Sequence, residues 1–419
     1  MGNQESAPTT SASDSTTATA TASKKDEKPV AEKEEEKYYR FNYSTLPDNL
    51  FHKDVPVSKW LDHCEVVGKE GFPPNSLNKV TPISKEVECE RIVGIAMYMI
   101  GNVIPFALPI LLGIAAGFNT TWSWGILYGF LAYCFVLFSL FSFYFKPKFC
   151  KKYNQKSYMD PKDVRGNQYF YTEYHISKYL STNYIWPKKD VQRPALENTP
   201  AIFCCIPHGI APFGITSYPL WSKLFNSKLC HWTTAPIVLK IPFISKYMLG
   251  IGYIPAKCKN ILETLTKKEH NVGIILDGIA GMFQQSKSTT EELCFIKQRK
   301  GIIKIALRAG VPIVPVYGFG HTSMYKVLLD PFGILEYLSL KLDTSIVPFF
   351  GRWNWFLGPP SRANPVAICL GTPVKCPQIS EPTLDDINKY HQQLLDSYEE
   401  LFNKHKAAYG WSHKKIKFV

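Results

Sequence analysis

The sequence predicts an α/β protein, a mixed sheet with flanking helices, preceded by a two-segment transmembrane helical hairpin. Three observations predict it. The segment Ile92 to Phe145 carries no charged side chain. An apolar helix of about 20 residues crosses a bilayer, so this run is long enough for two. From Tyr153 onward, short apolar runs bounded by turn residues alternate with helical patterns, as in sheets whose strands are joined through helices. Finally, 45% hydrophobic and 20% charged residues over 419 positions is near a globular average, so the hairpin is an appendage to a folded domain.

Taken in order, residues 1–37 form a tail rich in Ser, Thr and Ala, then in Lys and Glu. It has almost no large apolar side chain to offset the entropy of ordering, and is expected to be disordered. It lacks the apolar core of a secretory signal. Its opening, Met1-Gly2-Asn3-Gln4-Glu5-Ser6, fits the short pattern for N-myristoylation, which also arises by chance. Residues 38–91 read as a cytosolic lead-in with Pro-rich turns that packs on the main domain.

The hairpin spans 92–145. Its break falls at Asn119-Thr120-Thr121-Trp122-Ser123-Trp124, a polar and tryptophan-rich patch suited to an interface. Arg91 precedes it, and Lys146, Lys148, Lys151 and Lys152 follow. Basic residues at both outer ends and none at the break put both ends in the cytosol. Pro105 and Pro109 allow a kinked or re-entrant wedge instead. The net charge of +13 permits nucleic acid, an anionic membrane surface or a phosphate-bearing ligand, and the hairpin favours the last two. Eleven cysteines without a Cys-x-x-Cys pair suggest reduced thiols, with no zinc site and no disulfide framework.

Residues 146–419 make the cytosolic domain. Strands are expected at Ala201–Ile206, Val272–Leu276, Val311–Val316 and Val366–Leu370, and a helix at Gly301–Arg308. Near the C-terminus Thr383 can cap a helix with Asp385 and Asp386 in its first turn. Ile387, Tyr390, Leu394, Tyr398, Leu401 and Phe402 follow at helical spacing.

Three turns carry the chemistry. Pro207-His208-Gly209 directly follows the first of those strands, and in α/β sheets ligands gather beyond the carboxyl ends of strands. A histidine there suits a general base, and Gly209 lets the backbone approach a substrate; a structural histidine is the alternative. Arg299 and Lys300 stand at a helix start, and Lys300, Lys304 and Arg308 share one face. A phosphate-bearing ligand such as coenzyme A would suit that cluster, as would plain solvent. Asp277, in Leu276-Asp277-Gly278-Ile279-Ala280-Gly281, follows another strand and can reach the same crevice, although Asp-Gly is a common turn pair.

The order of these segments resembles the type-2 diacylglycerol acyltransferase family, with its monoacylglycerol and wax-alcohol members. The Pro-His-Gly turn is followed by Leu239-Lys240-Ile241-Pro242, the Gly-Ile-Ala turn, Arg299-Lys300-Gly301, Val314-Pro315-Val316-Tyr317-Gly318-Phe319-Gly320 and Gly371-Thr372-Pro373-Val374. Tyr390-His391 and Leu401-Phe402-Asn403-Lys404-His405-Lys406 close the series, and the resemblance runs from Arg91 to Trp411. It implies a glycerolipid-acyltransferase-like sheet and acyl transfer from acyl-CoA, a substrate and not a cofactor, to diacylglycerol. Catalysis would rest on His208 with Pro207, Gly209 and Asp277, and acyl-CoA binding on Arg299, Lys300, Gly301 and Lys304. No metal or nucleic acid is implied; membrane lipid is, and a homo-oligomer is compatible with it. The setting implied is the endoplasmic reticulum membrane, or a lipid droplet surface. Monoacylglycerol or a fatty alcohol as acceptor, or a non-catalytic hairpin protein of lipid droplets, are the rival readings.

The chain departs from the family pattern in three places. Ile206 stands where the family usually has His in His-Pro-His-Gly; plant members vary there too. Gly281 stands where members often carry a glutamate. His321 replaces the acidic residue that usually follows the tyrosine-phenylalanine-glycine segment.

Overall fold

The computed structural model describes residues 38–42, 62–67, 72–82, 176–187, 199–215, 230–240, 252–284, 288–328, 330–341, 347–356 and 358–419, with positions 45, 88, 92, 228, 248, 249 and 345. These belong to one compact unit, Glu36–Val419. The tail expected at 1–37 and, apart from Ile92, the hairpin expected at 92–145 lie outside the described residues. Among the described residues no helix is long and apolar enough to cross a membrane.

The strands are β1 (Tyr38–Asn42), β2 (Glu65–Val67), β3 (Asn183–Pro187), β4 (Ile202–Ile206), β5 (Cys230–Thr234), β6 (Ile254–Pro255) and β7 (Asn271–Ile275). They continue as β8 (Glu291–Cys294), β9 (Ile313–Phe319), β10 (Lys326–Val327), β11 (Phe349–Phe350), β12 (Ala367–Leu370) and β13 (Lys415–Phe418). The α-helices are α1 (Cys258–Thr266), α2 (Gly278–Gln284), α3 (Gly301–Ala309), α4 (Ile334–Lys341) and α5 (Leu384–His405). Among the described residues, nine strands form one mixed sheet in the order β2-β1-β3-β12-β9-β4-β7-β5-β6.

Strand β4 runs parallel to β7 and β9, and β5 runs parallel to β7 and β6. Strand β12 is antiparallel to β9. The central strands read as continuous apolar runs because both faces of the sheet are covered. In β4, Phe203 and Cys205 enter one core cluster, while Ile202, Cys204 and Ile206 enter the other. Strand β1 pairs with β3 from Tyr38↔Pro187 to Asn42↔Asn183. Part of the segment 38–91, read from the sequence as a lead-in, is therefore built into the sheet.

Helix α5 holds the second face. Thr383 accepts from the Asp386 N–H, and Asp386 accepts from the Thr383 N–H, a reciprocal capping box that fixes the helix start. Tyr398 then donates to the Cys204 carbonyl at 2.6 Å, tying α5 to the middle of β4. Phe402 stacks on Phe319 of β9. Helix α3 lies beside α5 with Ile302, Ile303, Ile305, Ala306 and Leu307 buried, and ends at Gly310 in the left-handed region.

Candidate active site

Strands β4, β7 and β9 are parallel, so their carboxyl ends share one edge of the sheet. Three polar side chains follow directly from those ends. His208 lies two residues past β4, Asp277 two past β7 and His321 two past β9.

The His208 turn is built almost wholly from backbone contacts. It begins with a cis Ile206–Pro207 peptide. The His208 N–H donates to Asp277 Oδ2 at 3.0 Å. The His208 Nδ1 lies 2.8 Å from the Gly209 carbonyl oxygen. A carbonyl only accepts, so Nδ1 carries the proton and Nε2 is left with its lone pair. Burial holds the half-buried imidazole below the ordinary histidine pKa, with backbone hydrogen bonds opposing. The ring is therefore neutral at neutral pH, which is the basic form. Gly209 has φ +63°, and a Cβ there would lie 2.8 Å from the His321 carbonyl oxygen, so position 209 requires glycine.

Asp277 is fully buried. Burial pushes its carboxyl up to about 7, while the His208 amide and the Arg299 charge pull the other way. Its second oxygen, Oδ1, has no hydrogen-bond partner among the described residues, which further disfavours the ionised form. The carboxyl lies over the first turn of α2. A Cβ at Gly281 would come within 2.1 Å of Asp277 Oδ2. Gly281 thus makes room for the carboxyl of Asp277, one helical turn earlier.

His321 is the residue whose role the sequence understated. It is fully buried, and burial lowers its pKa to about 4, so the ring is neutral and has one N–H. Nε2 lies 2.7 Å from the Phe213 carbonyl oxygen, and Nδ1 lies 3.3 Å from that of Pro207. The shorter contact takes the proton. One imidazole thereby touches both ends of the turn that presents His208. The only hint in the sequence is its place just after Gly318-Phe319-Gly320: a Cβ at Gly318 would collide with the imidazole at 2.4 Å. Its neighbour Thr322 donates to Glu292 Oε2 at 2.9 Å, and Lys414 reaches Glu292 Oε1 at 2.5 Å. The C-terminal residues are linked in this way to the reactive edge.

The basic cluster is more open. Arg299, Lys304 and Arg308 are exposed, the last two on the face they were read to share with Lys300. Gly301 begins α3. Lys300 differs, since its Nζ donates to Asn388 Oδ1 of α5 at 2.7 Å. Arg299 is near enough to Asp277 to lower its pKa, which joins the cluster to the reactive edge.

One expectation is revised. The segment from Gly278 opens helix α2 and is not a free turn, because Asp277 stands at the helix start and Gly281 admits its carboxyl. Asp277 meets His208 at the backbone N–H, and the Gly209 carbonyl holds the ring.

The sequence model of the diacylglycerol acyltransferase family matches residues 130–418. The human acyl-CoA wax alcohol acyltransferase 2 is 28% identical over 257 residues, covering 58% of this chain and 73% of that protein. Diacylglycerol O-acyltransferase 1 of Eremothecium gossypii is 30% identical over 244 residues, 54% of this chain and 52% of its own length. The 2-acylglycerol O-acyltransferase 1 of Mus musculus is 30% identical over 222 residues, 50% of this chain and 66% of its own. The matches thus span between about half and three quarters of these relatives. No solved structure matches the chain.

Proposed function

The chain belongs to the diacylglycerol acyltransferase family and is an O-acyltransferase; from that premise we propose that it esterifies diacylglycerol with the acyl group of acyl-CoA, using His208 as general base. The observation that carries this reading is the Nδ1 contact to the Gly209 carbonyl, which leaves Nε2 as a proton acceptor on a neutral ring.

In the proposed step Nε2 takes the proton of the acceptor hydroxyl as its oxygen attacks the thioester carbonyl. The resulting oxyanion is met by backbone N–H groups of the turn at Gly209. The intermediate collapses by breaking the carbon–sulfur bond, and the proton on His208 passes to the leaving thiolate. The products are an ester and free coenzyme A, so atoms and charge balance without a cofactor. Pro207 and Gly209 shape the turn. Asp277 fixes the backbone of His208. Arg299 and Lys304 meet the phosphates of coenzyme A at the start of α3, where backbone N–H groups add to the attraction. Lys300 links that helix start to α5. The proposed setting is the endoplasmic reticulum membrane or a lipid droplet, with residues 92–145 as the membrane segment and both termini cytosolic.

Two other acceptor classes are suggested by the relatives, whose names include a wax-alcohol and a 2-acylglycerol acyltransferase. One experiment separates these. Membranes from cells lacking neutral-lipid synthesis, expressing the chain, are given labelled acyl-CoA with each acceptor in turn. Labelled triacylglycerol supports the proposal; labelled diacylglycerol or wax ester reassigns the acceptor. No labelled ester with any acceptor removes the proposal.

A further inference from the structure

The exposed apolar surface is concentrated in one segment. Twelve large hydrophobic side chains are exposed among the described residues, and nine of them lie between Leu328 and Phe356. Phe332 is 84% exposed, Ile334 57%, Tyr337 60% and Trp355 60%. A protein surface rarely exposes such a patch without a partner for it.

Its place in the fold is informative. The segment leaves the reactive edge directly after the turn at His321–Ser323 that follows β9. Strands β10 and β11 pair antiparallel and close its base. Helix α4 packs against α2, the helix that starts beside Asp277. Ser345 reaches Met282 of α2 at 3.2 Å. Only one helix separates this apolar face from the site.

The far end of the segment is tied to Glu88. Arg352, beside Trp353, pairs with Glu88, and Arg362 holds the same carboxylate at 3.2 Å. Glu88 stands four residues before Ile92, where the charge-free run begins, and Ile92 itself packs on the sheet core. The entrance to that run is therefore fixed next to the exposed tryptophans Trp353 and Trp355. A lipid surface that receives residues 92–145 must lie against this side of the domain.

We infer that Leu328–Phe356 is a second lipid-docking face, which seats the domain on the surface that residues 92–145 enter and brings the reactive edge to the acceptor. The inference rests on the membrane reading of 92–145. Charge narrows the kind of surface. Residues 328–356 carry Lys341 and Arg352 against Asp330, Glu336 and Asp343, so the face has no excess of basic groups to draw it to an anionic surface. Its attraction is apolar, with tryptophans suited to the headgroup boundary, and a zwitterionic lipid is sufficient.

The test uses the full chain reconstituted in phosphatidylcholine vesicles that contain a diazirine-tailed phosphatidylcholine. After irradiation the labelled peptides are mapped by mass spectrometry. Peptides from 328–356 are expected to be labelled, at low and high salt alike. The triple variant Phe332→Ser/Ile334→Ser/Trp355→Ser should lose that labelling while peptides from 92–145 keep theirs. These side chains are exposed, and an unchanged melting temperature checks that the variant folds. Label on 92–145 with none on 328–356 overturns the docking face and leaves the membrane segment standing. Label on 328–356 alone keeps the docking face and removes the membrane segment. Label on neither removes both. Cross-links between copies through 328–356, in place of lipid label, assign the face to a second copy and overturn the inference.

Discussion

The reactive edge and the basic start of α3 are neighbours with opposite physical character. At the reactive edge His208, Asp277 and His321 are buried or half-buried, and the contacts described above for their side chains are to backbone groups. At α3, Arg299 and Lys304 are exposed and act as charges in solvent. Burial gives the first region perturbed pKa values and fixed geometry. Exposure gives the second an interaction that salt can screen. Changes at the edge should therefore appear in kcat and its pH dependence, and changes at α3 in the KM for acyl-CoA.

The sharpest break in that comparison is His208→Ala. It removes the proposed base and should lower kcat by about 10²–10⁴-fold, with membrane association unchanged. Acyl transfer in isolated membranes, at matched protein level, measures it. In the unaltered enzyme, activity should fall on the acid side through a midpoint below the ordinary histidine value, because protonated His208 is no base and its pKa is lowered. Full activity of His208→Ala would end the proposed mechanism.

His321→Ala should come next. It withdraws the contacts at both ends of the turn and leaves the Phe213 carbonyl without its donor. Misplacing a reacting group by about 1 Å can cost on the order of 10²-fold. The expected loss is in kcat, with the KM for acyl-CoA nearly constant. His321→Gln, which can still donate to the Phe213 carbonyl, should recover part of it. Equal losses in both variants would make His321 a packing residue only.

Asp277→Asn should cost less, since an amide oxygen can still accept from the His208 N–H. Its signature is pH. The folded carboxyl has a pKa raised to about 7, above its value in the unfolded chain. Between those values the unfolded chain has released the proton and the folded chain retains it. Stability therefore declines as pH rises from about 4 toward 7. Asp277→Asn removes this decline, so its melting temperature relative to the unaltered chain should rise between pH 5 and pH 8. Gly281→Ala tests the same carboxyl sterically, because the new Cβ takes its space; overpacking of this kind typically costs about 1–3 kcal/mol.

The sequence made the centre of the sheet legible and left the reach between its edges hidden. Strands β4, β7, β9 and β12 were readable because strands covered on both faces form unbroken apolar runs. The capped helix α5 was readable from Thr383 and its spacing. Strand β5, Cys-His-Trp-Thr-Thr, shows no such run; it is held by Trp232 packing against Gly273 of β7, a contact remote in sequence. At the site, the Pro207-His208-Gly209 turn stood out locally. The His321 contacts did not, since they need β9 to lie beside β4, and 108 residues separate His321 from Phe213. Asp277 looked like half of an ordinary Asp-Gly turn, because a pKa near 7 comes from burial and not from its neighbours in sequence.

The smallest predicted effects belong to α3, and they test whether the two regions are separate. Exposed ion pairs are worth about 0.2–1 kcal/mol, so Lys304→Gln should raise the KM for acyl-CoA by no more than roughly fivefold. Added salt should erase the difference, because solvent-exposed charges are screened. Lys300→Gln should act chiefly on stability, since its Nζ is bonded to Asn388. Arg299→Gln should do two things. It should raise the KM as Lys304→Gln does. It should also move the titration of Asp277 to higher pH, because the guanidinium charge now holds that carboxyl down. The pH at which the decline in melting temperature levels off should move up in Arg299→Gln and stay in place in Lys304→Gln. Adding Asp277→Asn to Arg299→Gln should abolish the shift and leave the KM effect intact. A shift that survives in the double variant would assign it to another titrating group, and an identical profile in both single variants would show that the open cluster and the buried edge are electrically independent.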